Sequence, residues 1–220
     1  MNYEIKRSKR KTLSIQVFRD QRVQVSAPLR CKNSEIEHFI AKHENWVRNK
    51  LDESLAYPGL PASRFVAGGH LWLLGEKHLI EVQEGKPNSV ILNENTIMVT
   101  QSNSVDEDKT FRLINNWKTD YAVKLFEERL NLWATEFPIQ LPMFQFKLRK
   151  MKRQWGNCNN KGIITINSQL IRYPIQCIDY VLVHELTHLK HLNHGRGFYR
   201  LMEQVCPNWK HQRLLLSQFS

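Results

Sequence analysis

The segment V-H-E-L-T-H constrains this chain more than any other part of its sequence. His184 and His188 are four residues apart, Glu185 directly follows the first, and His194 lies six residues beyond the second. On an α-helix, residues four apart lie one above the other, so both imidazoles can bind one metal ion while Glu185 reaches the open coordination position. The segment therefore predicts a helix that carries a metal site with its own base.

The residues around this motif predict where its helix begins and ends. Pro174 suits a first helical position, and Asn193 and Gly195 mark the end. Between them, apolar residues recur three and four positions apart at Ile175, Ile178, Val181, Leu182, Leu186 and Leu189. We predict a helix over about residues 175 to 191, whose histidines face a cleft beside the apolar side.

Two further histidines compete for the place of third ligand. His191 is seven residues from His184, about 10 Å along the axis at ~1.5 Å per residue, which is too far for a tetrahedral site. His194 follows Asn193, where the helix can end and the chain can fold back towards the metal. We predict His194 as the ligand and His191 as a nearby polar or surface residue. A downstream carboxylate, Glu203, is the alternative ligand.

The chemistry of such a site predicts a zinc-dependent hydrolase with one Zn²⁺ per chain. Three neutral imidazoles leave a position for water, whose pKa zinc lowers to around 7, and Glu185 would take its proton. Asp179 and Glu203 are candidate acceptors for the second N–H of the ligands. The candidates for substrate binding or for stabilising the transition state are Arg153, Asn157, His191 and Tyr199.

The apolar periodicity predicts an α+β fold. Up to residue 102, apolar and polar residues mostly alternate, which indicates short strands, and a Ser34–Glu37 capping box begins one helix. From residue 103, a Ser104–Glu107 capping box begins a long amphipathic helix, which Pro138 ends. We predict a β-rich region over 1–102 and a zincin-like region over 103–220, as separate domains or one compact unit. The second region is ordered as helix, β-hairpin and HExxH helix.

The hairpin suggests a peptide substrate. Its strands are predicted at 144–150 (F-Q-F-K-L-R-K) and 163–167 (I-I-T-I-N), with N-N-K-G as turn residues. An extended peptide could pair with the edge of this sheet beside the metal, so a metallopeptidase is the first hypothesis.

The positive charge of the chain keeps two alternatives open. The 32 basic and 21 acidic side chains give a net charge of +11, which attracts polyanions. The cluster Lys147–Arg153 supports a nucleotide pyrophosphatase on the same metal site, although the chain has no glycine-rich phosphate loop. A nucleic-acid-associated module with structural zinc is the third hypothesis, and Glu185 argues against it because a closed structural site needs no base. Solvated basic surface is an equally simple interpretation of the cluster.

The distribution of cysteine and apolar residues predicts a soluble, cytoplasmic protein without a membrane partner. The four cysteines are scattered without C-x-x-C spacing, and no apolar run approaches 18 residues. The basic N-terminus is not followed by the apolar region of a signal peptide.

Several segments of this sequence closely resemble the YgjP-like metallopeptidases, relatives of the SprT-like and WLM zinc proteases. They are R-Q-W-G-N-C at 153–158, G-I-I-T-I-N-S-Q-L-I at 162–171, the metal helix, N-H-G-R-G-F-Y at 193–199 and C-P-N-W-K at 206–210. V-Q-V-S-A-P and G-G-H-L-W-L-L-G extend the resemblance to the N-terminal half.

The resemblance implies that His184, His188 and His194 bind zinc and that Glu185 is the catalytic base. Some members of the family are labelled UTP pyrophosphatases, so the resemblance bears more directly on the metal than on the substrate. The chain departs from the usual family residues, Ser and Trp, at Asn157 and Tyr199, which affects the shape of the cleft and none of the ligands.

Overall fold

The computed structural model describes residues 2–18, 21–56 and 63–219. The chain divides into two compact units, one of Met1–Pro61 with Ser217–Ser220 and one of Ala62–Leu216. The boundary predicted at residues 102 and 103 lies inside the second unit, and that division stays a prediction. Among the described helices, none is long and apolar enough to cross a membrane. The cytoplasmic location also stays a prediction.

The first unit combines a small sheet with two helices. Its strands are β1 (Glu4–Ser8), β2 (Ser14–Val17) and β3 (Val23–Pro28), with β3 in the middle, parallel to β1 and antiparallel to β2. The helices are α1 (Asn33–Lys42) and α2 (Glu44–Ala56). Val25 and Ala27 of β3 pack with Ile36 and Ile40 of α1 in the core.

The single helix that the sequence predicts here is two helices in the structure, and the first begins earlier than a cap at Ser34 predicts. The Glu35 carboxylate, and not Glu37, accepts a hydrogen bond from the Lys32 backbone N–H at 3.2 Å, so α1 begins at Asn33. The chain leaves helical geometry at His43, whose Nδ1 lies 2.7 Å from the Phe39 carbonyl oxygen, and α2 then begins. Apolar residues at Ile36, Ile40, Trp46 or Val47, and Leu51 keep helical spacing across both helices, so apolar spacing alone does not reveal this break.

The second unit begins with a four-stranded sheet that packs on a long helix. The strands are β4 (His70–Leu73), β5 (Glu76–Glu84), β6 (Ser89–Asn93) and β7 (Thr96–Gln101), in the order β4-β5-β7-β6. Helix α3 (Glu107–Thr135) contributes Ile114 to the core, against Leu71, Ile80, Ile97 and Val99 of the sheet. Burial of these side chains explains why β-rich sequence and long helix belong to one unit.

The start of α3 differs from the predicted capping box at Ser104. Asp106 caps the helix instead, because its carboxylate accepts a hydrogen bond from the Lys109 N–H at 2.6 Å. Ser104 has a φ of 75°, a left-handed conformation that lies outside the helix. Both residues are good N-cap types, so composition could not distinguish them.

The remaining elements surround the predicted metal helix. Strands β8 (Gln145–Arg149), β9 (Gly156–Cys158) and β10 (Ile163–Asn167) form a second sheet in the order β8-β10-β9. A 3-10 helix (Ser168–Arg172) leads into α4 (Ile175–His188), followed by α5 (Arg196–Val205) and α6 (Trp209–Phe219). The α+β prediction is confirmed.

The predicted hairpin forms with a different partner. The two strands read from the sequence, β8 and β10, run parallel to each other. The short strand β9 pairs antiparallel with β10 and makes the hairpin. Because β9 contains only Gly156, Asn157 and Cys158, it has too few residues for an alternating pattern to show.

Lys118 is a basic residue in the interior of the second unit. It is 8% exposed, and its ammonium lies 5.0 Å from the centre of the Phe65 ring. Burial, and then the charges of Arg172 and Lys150, lowers the pKa of Lys118 from 10.5 to about 8. The folded protein thus disfavours the charged form of Lys118 relative to the unfolded chain. The stability that goes with a neutral Lys118 is complete above pH 10.5 and is lost as the pH falls through 8.

We predict that Lys118→Met raises the free energy of unfolding at pH 7 by about 1–3 kcal/mol, because it removes a buried charge. Near pH 10 the gain should largely disappear, since Lys118 is then neutral in the folded protein. Denaturant titrations at both pH values measure the effect, and Lys124→Met, at an exposed position of the same helix, is the control. An equal gain at both pH values would contradict the assignment.

Candidate metal centre

Helix α4 presents two histidines of the motif on one face, and the segment that follows returns a third. The rings of His184 and His188 have centroids 4.9 Å apart, and the ring of His194 lies 4.9 Å from the first and 4.7 Å from the second. The helix ends at His188, three residues earlier than predicted, and α5 begins at Arg196. The turn between them brings His194 to the other two rings, as the sequence predicts.

The geometry and chemistry of these rings fit a zinc ion. One nitrogen from each of the three histidines lies within 4.8 Å of the others. Nitrogens bound to a common zinc at about 2.0–2.1 Å are roughly 3.3 Å apart in a tetrahedral site, so only small side-chain movements are needed. Imidazole is also a donor that suits zinc.

The surroundings of the histidines favour their neutral, metal-binding form. Burial, and then the charges of His188, His194 and Arg213, lower the pKa of His184 to about 3. Burial also lowers the pKa of His188. Neutral imidazole is the form that binds metal, so neither ring would have to lose a proton near neutral pH.

A backbone carbonyl orients one of the rings. His188 Nδ1 donates a hydrogen bond to the His191 carbonyl oxygen at 2.9 Å, which leaves its Nε2 for a metal. A methyl group at Gly197 would lie only 2.9 Å from His191 Cε1, so the His191 ring packs against the first turn of α5. His191 thus contributes its backbone to the site, and its ring is outside the three-histidine cluster.

Glu185 lies buried beside the histidines and against the edge strand. It is 4% exposed, and burial raises its pKa to about 8. Its Oε2 is buried and has no hydrogen-bond partner among the described residues. A methyl group at Gly156 of β9 would lie 2.5 Å from Glu185 Oε1, so only glycine leaves room for the carboxylate here.

We predict that Gly156→Ala lowers kcat/KM by about ten- to a hundredfold, because the added methyl group must displace the Glu185 carboxylate by roughly an ångström. Bound metal should be unchanged, because the three atoms nearest to the added methyl group all belong to Glu185 and none to a histidine. Peptide cleavage and metal content measure both effects. Gly85→Ala, where the methyl group would lie 2.9 Å from Thr100 Cγ2 in the other sheet, is the matched control. Full activity of Gly156→Ala would show that Glu185 is not held by this strand.

The other residues predicted for the site have different positions. Tyr199 lies close by, with its ring centroid 6.4 Å from that of His194 and stacked on Trp209 at 5.2 Å. Asn157 is a half-buried residue of β9, opposite Thr165 of β10. Arg153 is exposed in the loop between β8 and β9.

Neither acidic residue considered as a support or ligand belongs to the three-histidine cluster of the described residues. The alternative ligand Glu203 lies outside the three-histidine cluster, with its Oε1 3.6 Å from Lys210 Nζ. Asp179 pairs instead with Arg129 of α3: its two carboxylate oxygens accept hydrogen bonds from Arg129 Nε and Nη2, each at 2.5 Å. This bidentate ion pair connects α4, the helix that carries His184 and His188, to α3.

We predict that Arg129→Met lowers the free energy of unfolding by about 3 kcal/mol, because it leaves the Asp179 carboxylate, 9% exposed, without its cation. The double variant Arg129→Met/Asp179→Leu should recover most of this loss, since it removes both charges. Urea denaturation of the two variants and of the parent measures the effect. A stability of Arg129→Met equal to that of the parent would contradict a stabilising role for the pair.

Two aromatic residues that the sequence analysis missed also surround the site. The Phe198 ring is buried and lies within 4.9 Å, between centroids, of all three histidine rings. The Tyr180 ring lies 5.9 Å from that of His184, and burial raises its pKa. Tyr180 precedes His184 by four residues, so helical spacing alone could have placed it on the metal face.

An α+β fold in which an H-E-x-x-H helix carries two histidines, and the turn after it adds a third beside a buried glutamate, is typical of a metallohydrolase. The chain belongs to the YgjP-like metallopeptidase family, because the family model described as "YgjP-like, metallopeptidase domain" matches residues 11–219. The resemblance seen in the sequence is confirmed. At the level of the family, the chain is a metallopeptidase.

Two solved structures are similar to part of the chain. The metallopeptidase zymogen abylysin from Pyrococcus abyssi is 26% identical, with a TM-score of 0.38, over 42% of this chain and 93% of its own. The metallopeptidase zymogen jannalysin from Methanocaldococcus jannaschii is 18% identical, with a TM-score of 0.38, over 42% of this chain and 94% of its own. A comparison with curated proteins gave no match.

Proposed function

We propose that this chain is a zinc-dependent peptidase in which His184, His188 and His194 hold one Zn²⁺ and Glu185 is the general base. The observation that carries the proposal is the buried Glu185 carboxylate next to three histidine nitrogens within 4.8 Å of one another. A zinc ion bound there would supply Lewis acidity towards a peptide carbonyl and towards water.

The free oxygen of Glu185 supports its role as the base. Oε1 faces Gly156, whereas Oε2 has no partner in the described part of the chain. A water that attacks the peptide carbonyl can therefore give its proton to Oε2, and the protonated carboxyl can pass that proton to the leaving amine. Tyr180 and Tyr199 are the nearby phenols that could donate a hydrogen bond to the developing oxyanion.

The edge strand beside Glu185 supports a peptide as the substrate. The hydrogen bonds from Asn167 N to Trp155 O and from Asn159 N to Ile163 O show that alternate residues of this segment face β10. By the alternation of an antiparallel pair, Gly156 and Cys158 direct their backbone N–H and C=O away from β10. An extended peptide can pair with these groups and pass beside Glu185.

No observation gives similar support to the nucleotide alternative. Lys147 and Arg149 of the basic cluster lie on β8, and the sheet order β8-β10-β9 places them two strands from the one that contacts Glu185. At about 4.8 Å per strand, this separation is roughly 10 Å. The two strand residues of the cluster are therefore remote from the glutamate, whereas the edge strand beside it favours a peptide.

The test compares an unfolded protein substrate with UTP. Purified protein is incubated with zinc and with each substrate, in parallel with chelator-treated protein and with chelator-treated protein to which zinc is returned. We expect zinc-dependent peptide fragments and no pyrophosphate. Zinc-dependent release of pyrophosphate without peptide cleavage would overturn the proposal.

A further inference from the structure

An open surface cavity of about 780 Å³ lies beside His194, along α5. The residues that line it come from α5 and from the two residues before that helix. They are His194, Gly195, Arg196, Tyr199, Arg200, Glu203 and Gln204. The cavity therefore begins at a proposed metal ligand and extends away from it along the helix.

The two ends of this cavity differ in charge. Arg196 and Arg200 are one helical turn apart, on the same face and on the side nearer His194. Neither forms an ion pair with an acidic side chain in the described part of the chain. At the other end, the Glu203 carboxylate lies 3.6 Å from Lys210 Nζ, which offsets its charge. The end near the histidines thus has two positive charges available to a ligand.

One wall of the cavity is held in place by aromatic stacking. The Tyr199 ring is stacked on Trp209, with centroids 5.2 Å apart and planes at 21°. Its centroid also lies 6.4 Å from that of the His194 ring, and Arg200 follows it directly in α5. A peptide side chain bound there would therefore contact the fixed Tyr199 ring as well as the guanidinium groups of Arg196 and Arg200.

We propose that this cavity is a subsite that binds an acidic side chain, Asp or Glu, of the peptide substrate within two residues of the cleaved bond. A guanidinium group can bind a carboxylate through two parallel hydrogen bonds, which gives direction as well as attraction. An extended peptide advances about 3.3–3.6 Å per residue, so a side chain one or two residues from the metal reaches the first turns of α5. The inference rests on the proposed peptidase function and adds its substrate class.

Cleavage of matched peptides tests the subsite. The peptides share one sequence and carry Asp, Asn or Lys at each of the two positions on either side of the cleaved bond. Asn has the shape of Asp without its charge. We expect kcat/KM to be about three- to tenfold higher for Asp than for Asn at one of these positions, and lowest for Lys. The preference should shrink as salt is added.

Charge reversal identifies the residues responsible. Arg196→Glu and Arg200→Glu should each abolish or invert the ratio of kcat/KM for the Asp and Lys peptides. Arg112→Glu, which changes the net charge equally at an exposed position of α3, should retain the parent ratio. The ratio compares two substrates of one variant, so it does not depend on how much of that protein is active. A ratio that neither cavity variant alters would overturn the proposal.

Binding separates the subsite from the proposed reaction. Zinc-loaded Glu185→Gln protein is titrated with the same peptides, and the dissociation constants are compared. Tighter binding of Asp peptides without cleavage by the parent protein would support the subsite and contradict the peptidase. Cleavage without a preference for Asp would support the peptidase and overturn the subsite. Absence of any preference in binding would also overturn the subsite.

Discussion

Glu185→Gln is expected to lower peptidase kcat by about three orders of magnitude while about one zinc stays bound per chain. Glutamine has the size and shape of glutamate, so it fits the same space against Gly156. Its amide cannot accept the proton that the attacking water must lose. The three histidines remain in place, which is why the metal should be retained while the reaction stops.

Comparing the metal content with the turnover of the variant distinguishes a role of Glu185 as the base from a structural role. Zinc is measured by elemental analysis of the purified variant, and kcat is measured with the peptide that the parent cleaves best. Glu185→Asp is the second variant, because it keeps a carboxylate but withdraws it by about 1.5 Å, and it should fall between the parent and Glu185→Gln. Parent-like turnover of Glu185→Gln would identify another base. Loss of zinc from Glu185→Gln would instead indicate that Glu185 maintains the metal site.

The sequence predicts the histidine cluster well because helical geometry is local. Residues four apart on an α-helix share a face whatever the rest of the protein does, so His184 and His188 follow directly from the motif. The third position is less local, because the helix ends at His188 and both His191 and His194 follow it. Asn193 and Gly195 indicate that the chain turns before α5, and this turn brings the His194 ring to the other two.

The contacts of Glu185 could not be predicted because they join distant parts of the chain. Gly156 faces the carboxylate only because β9 pairs with β10 and packs beside α4, and no local pattern records that pairing. The parallel pairing of β8 with β10 likewise depends on which strands meet in the folded chain, and the local sequence of either strand does not indicate it. Asp179 was expected near the ligands, but its helical position directs it to Arg129 of α3.

His191 supports the site through its backbone carbonyl and not through its ring. His188 donates to the carbonyl oxygen of His191, and this bond needs no particular side chain at position 191. A histidine there therefore resembles a ligand in the sequence without its ring taking part. Substitution of the two histidines beyond the motif can separate these roles.

His194→Ala is expected to lower the affinity for zinc by about a hundredfold, whereas His191→Ala should leave it close to that of the parent. Structural zinc sites with four ligands bind with about 10–16 kcal/mol, so one ligand contributes roughly 3 kcal/mol, which is about a hundredfold. Loss of the His191 ring leaves the carbonyl that orients His188 in place.

Competition with a chromophoric chelator measures the zinc affinity of both variants, and circular dichroism checks that each is folded. The two alanine variants remove the same side chain three residues apart, so each is the matched control of the other. A large loss of affinity in His191→Ala with little change in His194→Ala would exclude His194 as the third ligand. A loss in both would mean that the His191 ring also supports the site, because the backbone bond to His188 alone would then be insufficient to orient it.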